Sequence, residues 1–196
     1  MIDRLRKLTD WLGQWRVIAI LFIPTLALFC LFNFHPAMVP ALVAAGDGVP
    51  PLDMQLGYGP QDVESLLTTY GVDGRQRYVR FLLVDMVFAA CYGLLFAGLL
   101  RVALRPPLVP VASRWNDLCL VALLAGAADC SENLGILALI GLYPYVPPTL
   151  ALAASCFTLI KWTLAAVGIV SIVAAFGARL FLRAKLRSKL PEEAGT

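Results

Sequence analysis

Four apolar stretches, 17–34, 81–100, 115–142 and 150–182, take up about half of this 196-residue chain, and each is long enough to cross the hydrocarbon of a bilayer as a helix. Inside a bilayer every backbone N–H and C=O must be satisfied within the protein, and runs of this length achieve it as helices. Composition agrees. With 60% hydrophobic residues, 15% charged residues and a mean hydropathy of +0.78, the chain has too little polar surface for a soluble domain of its size. The predicted fold is all-α: one polytopic membrane domain over residues 1–196, a four-helix bundle with an N-terminal interfacial amphipathic helix and a partly helical extracytoplasmic loop, 35–80.

Lys and Arg are unevenly shared between the ends of the spans. Arg4, Arg6, Lys7 and Arg16 precede the first span, Arg101, Arg105 and Arg114 lie in the link after the second, and Arg179, Arg183, Lys185, Arg187 and Lys189 close the fourth. Loop 35–80 dilutes Arg75, Arg77 and Arg80 with Asp47, Asp53, Asp62, Glu64 and Asp73, and the turn Tyr143–Pro148 has no charge. The positive-inside rule then puts both termini in the cytoplasm. The first span is followed by Asn33-Phe34-His35 rather than a small-residue cleavage site, so it reads as a retained anchor. In the absence of organelle signals, the expected membrane is a bacterial plasma (inner) membrane.

The N-terminal stripe Ile2, Leu5, Leu8, Leu12 and Trp15 predicts a helix lying in the interface. The first half of the loop is rich in Pro and Gly, with a short apolar turn expected at 41–45. Pro60 opens a short helix with Asp62 and Glu64 in its first turn, and Gly71 stops it. Asp73-Gly74-Arg75-Gln76 has the spacing of an N-cap with a return bond, which starts the next helix outside the membrane. Such a loop is either a lid or a plain connection.

The polar run Asp129-Cys130-Ser131-Glu132-Asn133 interrupts the third span. An acidic side chain in mid-bilayer costs roughly 2.5 to 3.5 kcal/mol, so two in one span need a protein environment. Asp129, Glu132 and Asn133 share one helical face. With Asp85 and Lys161 they are the charged or amide groups well inside the spans, and counting inward at about 1.5 Å per residue brings Glu132 and Lys161 to similar depth, with Asp129 a turn deeper and Asp85 shallower. Tyr92 is seven residues from Asp85, and Thr158 is three before Lys161. Ala125-Gly126-Ala127-Ala128 would let neighbouring helices approach closely enough to pair Lys161 with Glu132 or Asp129. Three acids against one base in a low dielectric imply a protonated acid, a bound cation or entering water.

Several classes are excluded. No Walker loop, nucleophile elbow, dinucleotide fingerprint or zincin helix is present. Cys30, Cys91, Cys119, Cys130 and Cys156 form no CxxC pair and read as small apolar fillers, against a disulfide-forming enzyme. The net charge of +3 follows topology rather than forming a patch, so no nucleic acid is expected. No metal site is expected, since Glu-x-x-His is missing and His35 lies at the outer end of the first span.

The leading expectation is a pocket that opens to the extracytoplasmic side and binds a small polar, cationic or lipid-like ligand through Asp85, Tyr92, Asp129, Glu132, Asn133, Thr158 and Lys161. One alternative is an intramembrane acid/base enzyme acting on an isoprenoid or sterol-like lipid, with Asp129, Glu132 and Asp85 as the candidate catalytic groups. Another is an assembly protein whose charges only hold helices together. The cofactor is unknown. The bilayer is the one partner the residues demand, and a homo-oligomer stays open.

Overall fold

The computed structural model describes residues 2–110 and 113–189, and side chains within 4–110 and 113–185. All regular structure in this range is helical: α1 (Ile2–Leu12), α2 (Trp15–Phe34), α3 (Val39–Ala45), α4 (Pro60–Ala103), α5 (Cys119–Leu142) and α6 (Pro148–Lys189), with 3₁₀ turns at Leu52–Met54 and Arg114–Leu118. Four of these segments are long and apolar enough to cross a membrane. The sequence Pro191-Glu192-Glu193-Ala194-Gly195-Thr196 predicts a disordered tail, and these residues lie outside the described range.

Helices α4 and α5 form the central pair, with α6 packed along α5 and α2 along α4. Gly93 and Gly126 make the α4–α5 crossing possible. A Cβ on Gly126 would stand 2.6 Å from the Ala89 carbonyl oxygen, and one on Gly93 would stand 3.3 Å from the Gly126 Cα. The two backbones therefore touch directly, as the small residues beside Asp129 predict. On α5 and α6 a similar approach brings Gly135 against Ala154. The flanking helices α2 and α6 leave wide apolar faces uncovered, including Ile23, Phe34, Val170 and Val173. That is the surface a hydrocarbon solvent covers.

Two apolar clusters close the bundle at its ends. At the loop end, Leu42, Leu52, Val63, Leu67, Tyr78 and Leu82 pack with Ile136 and Leu139. At the end holding the terminal segments, Leu12, Ala97, Leu100, Ala103, Cys119 and Ala122 pack together. Here α1 is tied to the bundle by ion pairs of Arg6 with Asp117 (2.9 Å) and of Asp10 with Arg101. Its buried face carries Thr9 and Leu12, whereas Leu8 and Trp11 are exposed, so the stripe read from hydropathy is rotated.

The loop is more ordered than its Pro and Gly content suggests. The expected apolar turn is the helix α3, whose Leu42 is buried, as is Leu52 in the 3₁₀ turn that follows. Pro60 and Asp62 open α4, with the Asp62 carboxylate accepting from Gly59 N–H at 2.7 Å. Gly71 breaks the helix at φ 59°, ψ −166° without ending it, a conformation that a side chain would strain. Arg75 Nη1 donates to the Leu67 carbonyl at 2.7 Å across the break and stacks on the Tyr143 ring. The helix resumes directly after Gly71, so Asp73 stands inside it and makes no capping bond. The third span begins as a 3₁₀ turn rather than an α-helix, with Ser113 Oγ accepting from Trp115 N–H.

Candidate functional site

Between the two end clusters lies a layer of buried polar side chains drawn from α4, α5, α6 and the loop. Lys161 is its centre. Its ammonium meets Glu132 Oε2 at 2.7 Å, Asp129 Oδ1 at 3.3 Å and the Asp53 main-chain carbonyl at 2.9 Å. The Asp53 carbonyl accepts a hydrogen bond from the ammonium, and the two carboxylates are its ion-pair partners. Glu132 is fully buried, and its other oxygen accepts from Thr158 Oγ at 2.6 Å. Both carboxylate oxygens of Glu132 are thus taken, and a lysine held this way is a counter-charge rather than a nucleophile.

Asp129 and Asp85 are held differently. Asp129 Oδ2 accepts from the Tyr92 hydroxyl at 3.0 Å. Asp85 is 7% exposed and accepts at Oδ2 from Asn133 Nδ2 at 2.8 Å, while its Oδ1 receives no hydrogen bond from the described residues. The helical register expected of Tyr92 and Asp85 is present, but the two side chains bond to different partners across the α4–α5 contact.

One member of this layer escaped the sequence reading. Asp53 sits in a 3₁₀ turn of the loop and is 4% exposed. Its carboxylate accepts from the Tyr78 hydroxyl at 2.8 Å while its carbonyl takes the third bond of Lys161. Burial pushes its carboxyl above the usual aspartate range, opposed by the positive charge of Lys161 and the Tyr78 bond. Nothing in Pro50-Pro51-Leu52-Asp53-Met54 distinguishes this acid from the exposed ones around it. Nearby, Ser155 Oγ accepts from Tyr58 N–H at 3.0 Å, so a second residue of α6 anchors the loop.

Beside the polar layer is a cavity of about 480 Å³. Asp53, Asp85, Tyr92, Asp129 and Lys161 form its polar end, and the rings of Phe32, Phe81, Phe88 and Phe96 are among its walls. Phe81, Asp85, Phe88, Tyr92 and Phe96 follow one another three or four apart on one face of α4, with Phe88–Tyr92 and Tyr92–Phe96 centroids 5.4 and 5.7 Å apart. That spacing is a legible signal, and it went unread because phenylalanine in a span looks like ordinary hydrocarbon contact. Glu132, Asn133 and Thr158 do not reach the cavity. They stand behind it and hold Lys161 and Asp85 in place.

At the loop end, where the sequence places the mouth, the Leu52–Met54 turn meets Lys161 through the Asp53 carbonyl, and Met54 lines the cavity. The cavity reaches exposed residues along the side of the bundle, between α2 and α6. Phe22, Leu26 and Phe29 on one edge and Trp162 and Ile169 on the other are exposed. His35 is remote in function from this layer: its Nδ1 accepts from Ala37 N–H on the surface. No group of His, Cys, Asp and Glu suited to a metal ion occurs among the described residues. Comparison with known proteins gave no matching family model, no matching curated protein and no matching solved structure.

Proposed function

We propose that this chain is a multi-pass membrane protein whose buried cavity binds a small amphiphile reaching it from the bilayer. The observation that carries the reading is the union of a polar closed end at Asp85, Tyr92 and Asp129 with an aromatic mouth facing sideways between α2 and α6. A water-soluble polar ligand would have to cross hydrocarbon to use such an entrance, whereas a lipid-like molecule arrives head inward with its tail along the rings. Pockets of this size, mostly apolar with a few convergent polar groups, are the usual form of a small-molecule site. Glu132 and Thr158 stand behind the cavity and hold Lys161 in place, so the assembly role considered for these charges belongs to them.

The test is native mass spectrometry of the protein released from lipid nanodiscs. A small amphiphile is expected to remain on the wild type and to be lost from Leu26→Trp and Ile169→Trp, which fill the mouth from its two edges without replacing a residue of the polar layer. The same amphiphile should raise the melting temperature of the wild type, because a ligand that prefers the native state stabilises it. If nothing is retained and no member of a lipid panel shifts the melting temperature, the binding function is wrong.

A second reading rests on the unequal settings of the two cavity acids, Asp85 beside a neutral amide and Asp129 beside an ammonium and a phenol. Two carboxyl groups in contrasting surroundings can divide acid and base roles. In that case the occupant is an isoprenoid or sterol-like substrate, and Asp85→Asn abolishes its conversion while leaving its binding within about threefold.

A further inference from the structure

The ligand's head group can be read from which hydrogen-bonding capacities the closed end leaves open, an argument that rests on the ligand-binding reading above. Every donor there is already committed. The Lys161 ammonium donates to the Asp53 carbonyl and is paired with Glu132 and Asp129, and the Tyr92 hydroxyl donates to Asp129. Behind the cavity Asn133 donates to Asp85, Thr158 donates to Glu132, and Tyr78 donates to Asp53. Acceptors remain. Asp85 is more than nine-tenths buried, lines the cavity and has one oxygen without a donor, and the Tyr92 oxygen keeps its lone pairs.

Against an ionised Asp85, a carboxylate, phosphate or ketone head would bring only further acceptors to this end and would leave buried groups unpaired on both sides, a heavy penalty in a dry site. A head with N–H or O–H donors completes the set. Charge selects between those two. Asp53, Asp85, Asp129 and Glu132 face a single ammonium, so a cation reduces the imbalance and a neutral hydroxyl does not. The row of rings that includes Phe81, Phe88 and Tyr92 beside Asp85 adds faces that attract a desolvated cation.

We infer that the cavity takes a protonated amphiphilic amine, its ammonium donating to the open oxygen of Asp85 and its apolar chain running along the α4 rings to the mouth between α2 and α6.

The experiment compares three probes with one tail, dodecylamine, dodecanol and dodecanoic acid, for saturable binding to the full chain in phosphatidylcholine nanodiscs at neutral pH. Empty nanodiscs give the partition background. Dodecylamine is expected to bind at least tenfold more tightly than dodecanol, and dodecanoate to show no saturable component. In Asp85→Asn the amine should fall to the affinity of the alcohol while the alcohol is unchanged within about threefold. The wild-type series stands without the variant, so a poorly folded Asp85→Asn does not rescue the inference. Equal binding of amine and alcohol, or saturable binding of dodecanoate as tight as the amine, overturns the amine assignment and leaves a ligand cavity in place. Absence of saturable binding by all three overturns both.

Discussion

Lys161 brings two acids of α5 and one loop carbonyl to a single point, and its worth depends on all of them being present. Removing one partner of a buried pair costs about 3–5 kcal/mol because a charge is left uncompensated, whereas removing both is often close to neutral. Lys161→Met should therefore destabilise the protein by that amount in reversible unfolding from bicelles. Adding Glu132→Gln to it should return at least about 1 kcal/mol, the sign of a coupled pair. If the double variant is as unstable as the sum of the two single ones, the ion pair does not hold the frame. Among the polar residues singled out from the sequence, the structure brings Asp85, Tyr92, Asp129, Glu132, Asn133, Thr158 and Lys161 into one layer. What it adds is a division between them: Asp85, Tyr92, Asp129 and Lys161 reach the cavity, and the others do not. Spacing along a helix says which side chains share a face, but it does not say which neighbour each one meets.

At the scale of elements, the closeness of α4 and α5 is set by backbone contact at Ala89, Gly93 and Gly126. A methyl group on Gly126 would meet a carbonyl oxygen at 2.6 Å, and backbone cannot rotate out of the way. Gly126→Ala should cost about 1–3 kcal/mol, the range for overpacking, and should weaken the Tyr92–Asp129 and Asn133–Asp85 bonds that span the same contact. Gly168, in the middle of α6, would meet nothing within 4 Å. Gly168→Ala should be neutral or gain up to about 1 kcal/mol from helix propensity. Melting temperatures in one detergent give the ordering, and a more stable Gly126→Ala than Gly168→Ala would refute it. The helix spans themselves were readable to within a few residues, as were the opening of α4 at Pro60 and its break at Gly71. The 3₁₀ start of the third span and the early resumption of α4 after Gly71 were not, because hydropathy is blind to which backbone hydrogen bonds a turn uses.

For the whole molecule, the terminal segments and the Arg101–Arg114 link meet at one end of the bundle and the loop with the Tyr143 turn at the other. Arg6, Arg101, Arg105 and Arg179 all bond within the first end, Arg179 Nη1 to the Val102 carbonyl at 3.0 Å and Arg105 Nη2 to the Gly13 carbonyl at 2.7 Å. The positive-inside rule predicts that this end faces the cytoplasm. An impermeant maleimide added to intact cells should label Leu56→Cys and should reach Lys7→Cys only after permeabilisation, in a background with the native cysteines replaced by alanine. The opposite pattern would invert the orientation. Its consequence for the cavity is small, since the mouth faces the side of the bundle in either case.

What this chain's sequence determines by itself is the number of long apolar helices, the sharing of basic residues between their ends and the presence of acids and a lysine in the spans. Hydropathy and helical period are properties of neighbours along the chain, so they survive without a fold. Only the tertiary structure decides that Asp53, 108 residues before Lys161, meets its ammonium at the loop end, and that exposed residues of α2 and α6 line one cavity. Those outcomes depend on how closely α4 and α5 can approach and on where the loop then has room to settle. Packing between distant segments sets both, and no window of sequence contains it.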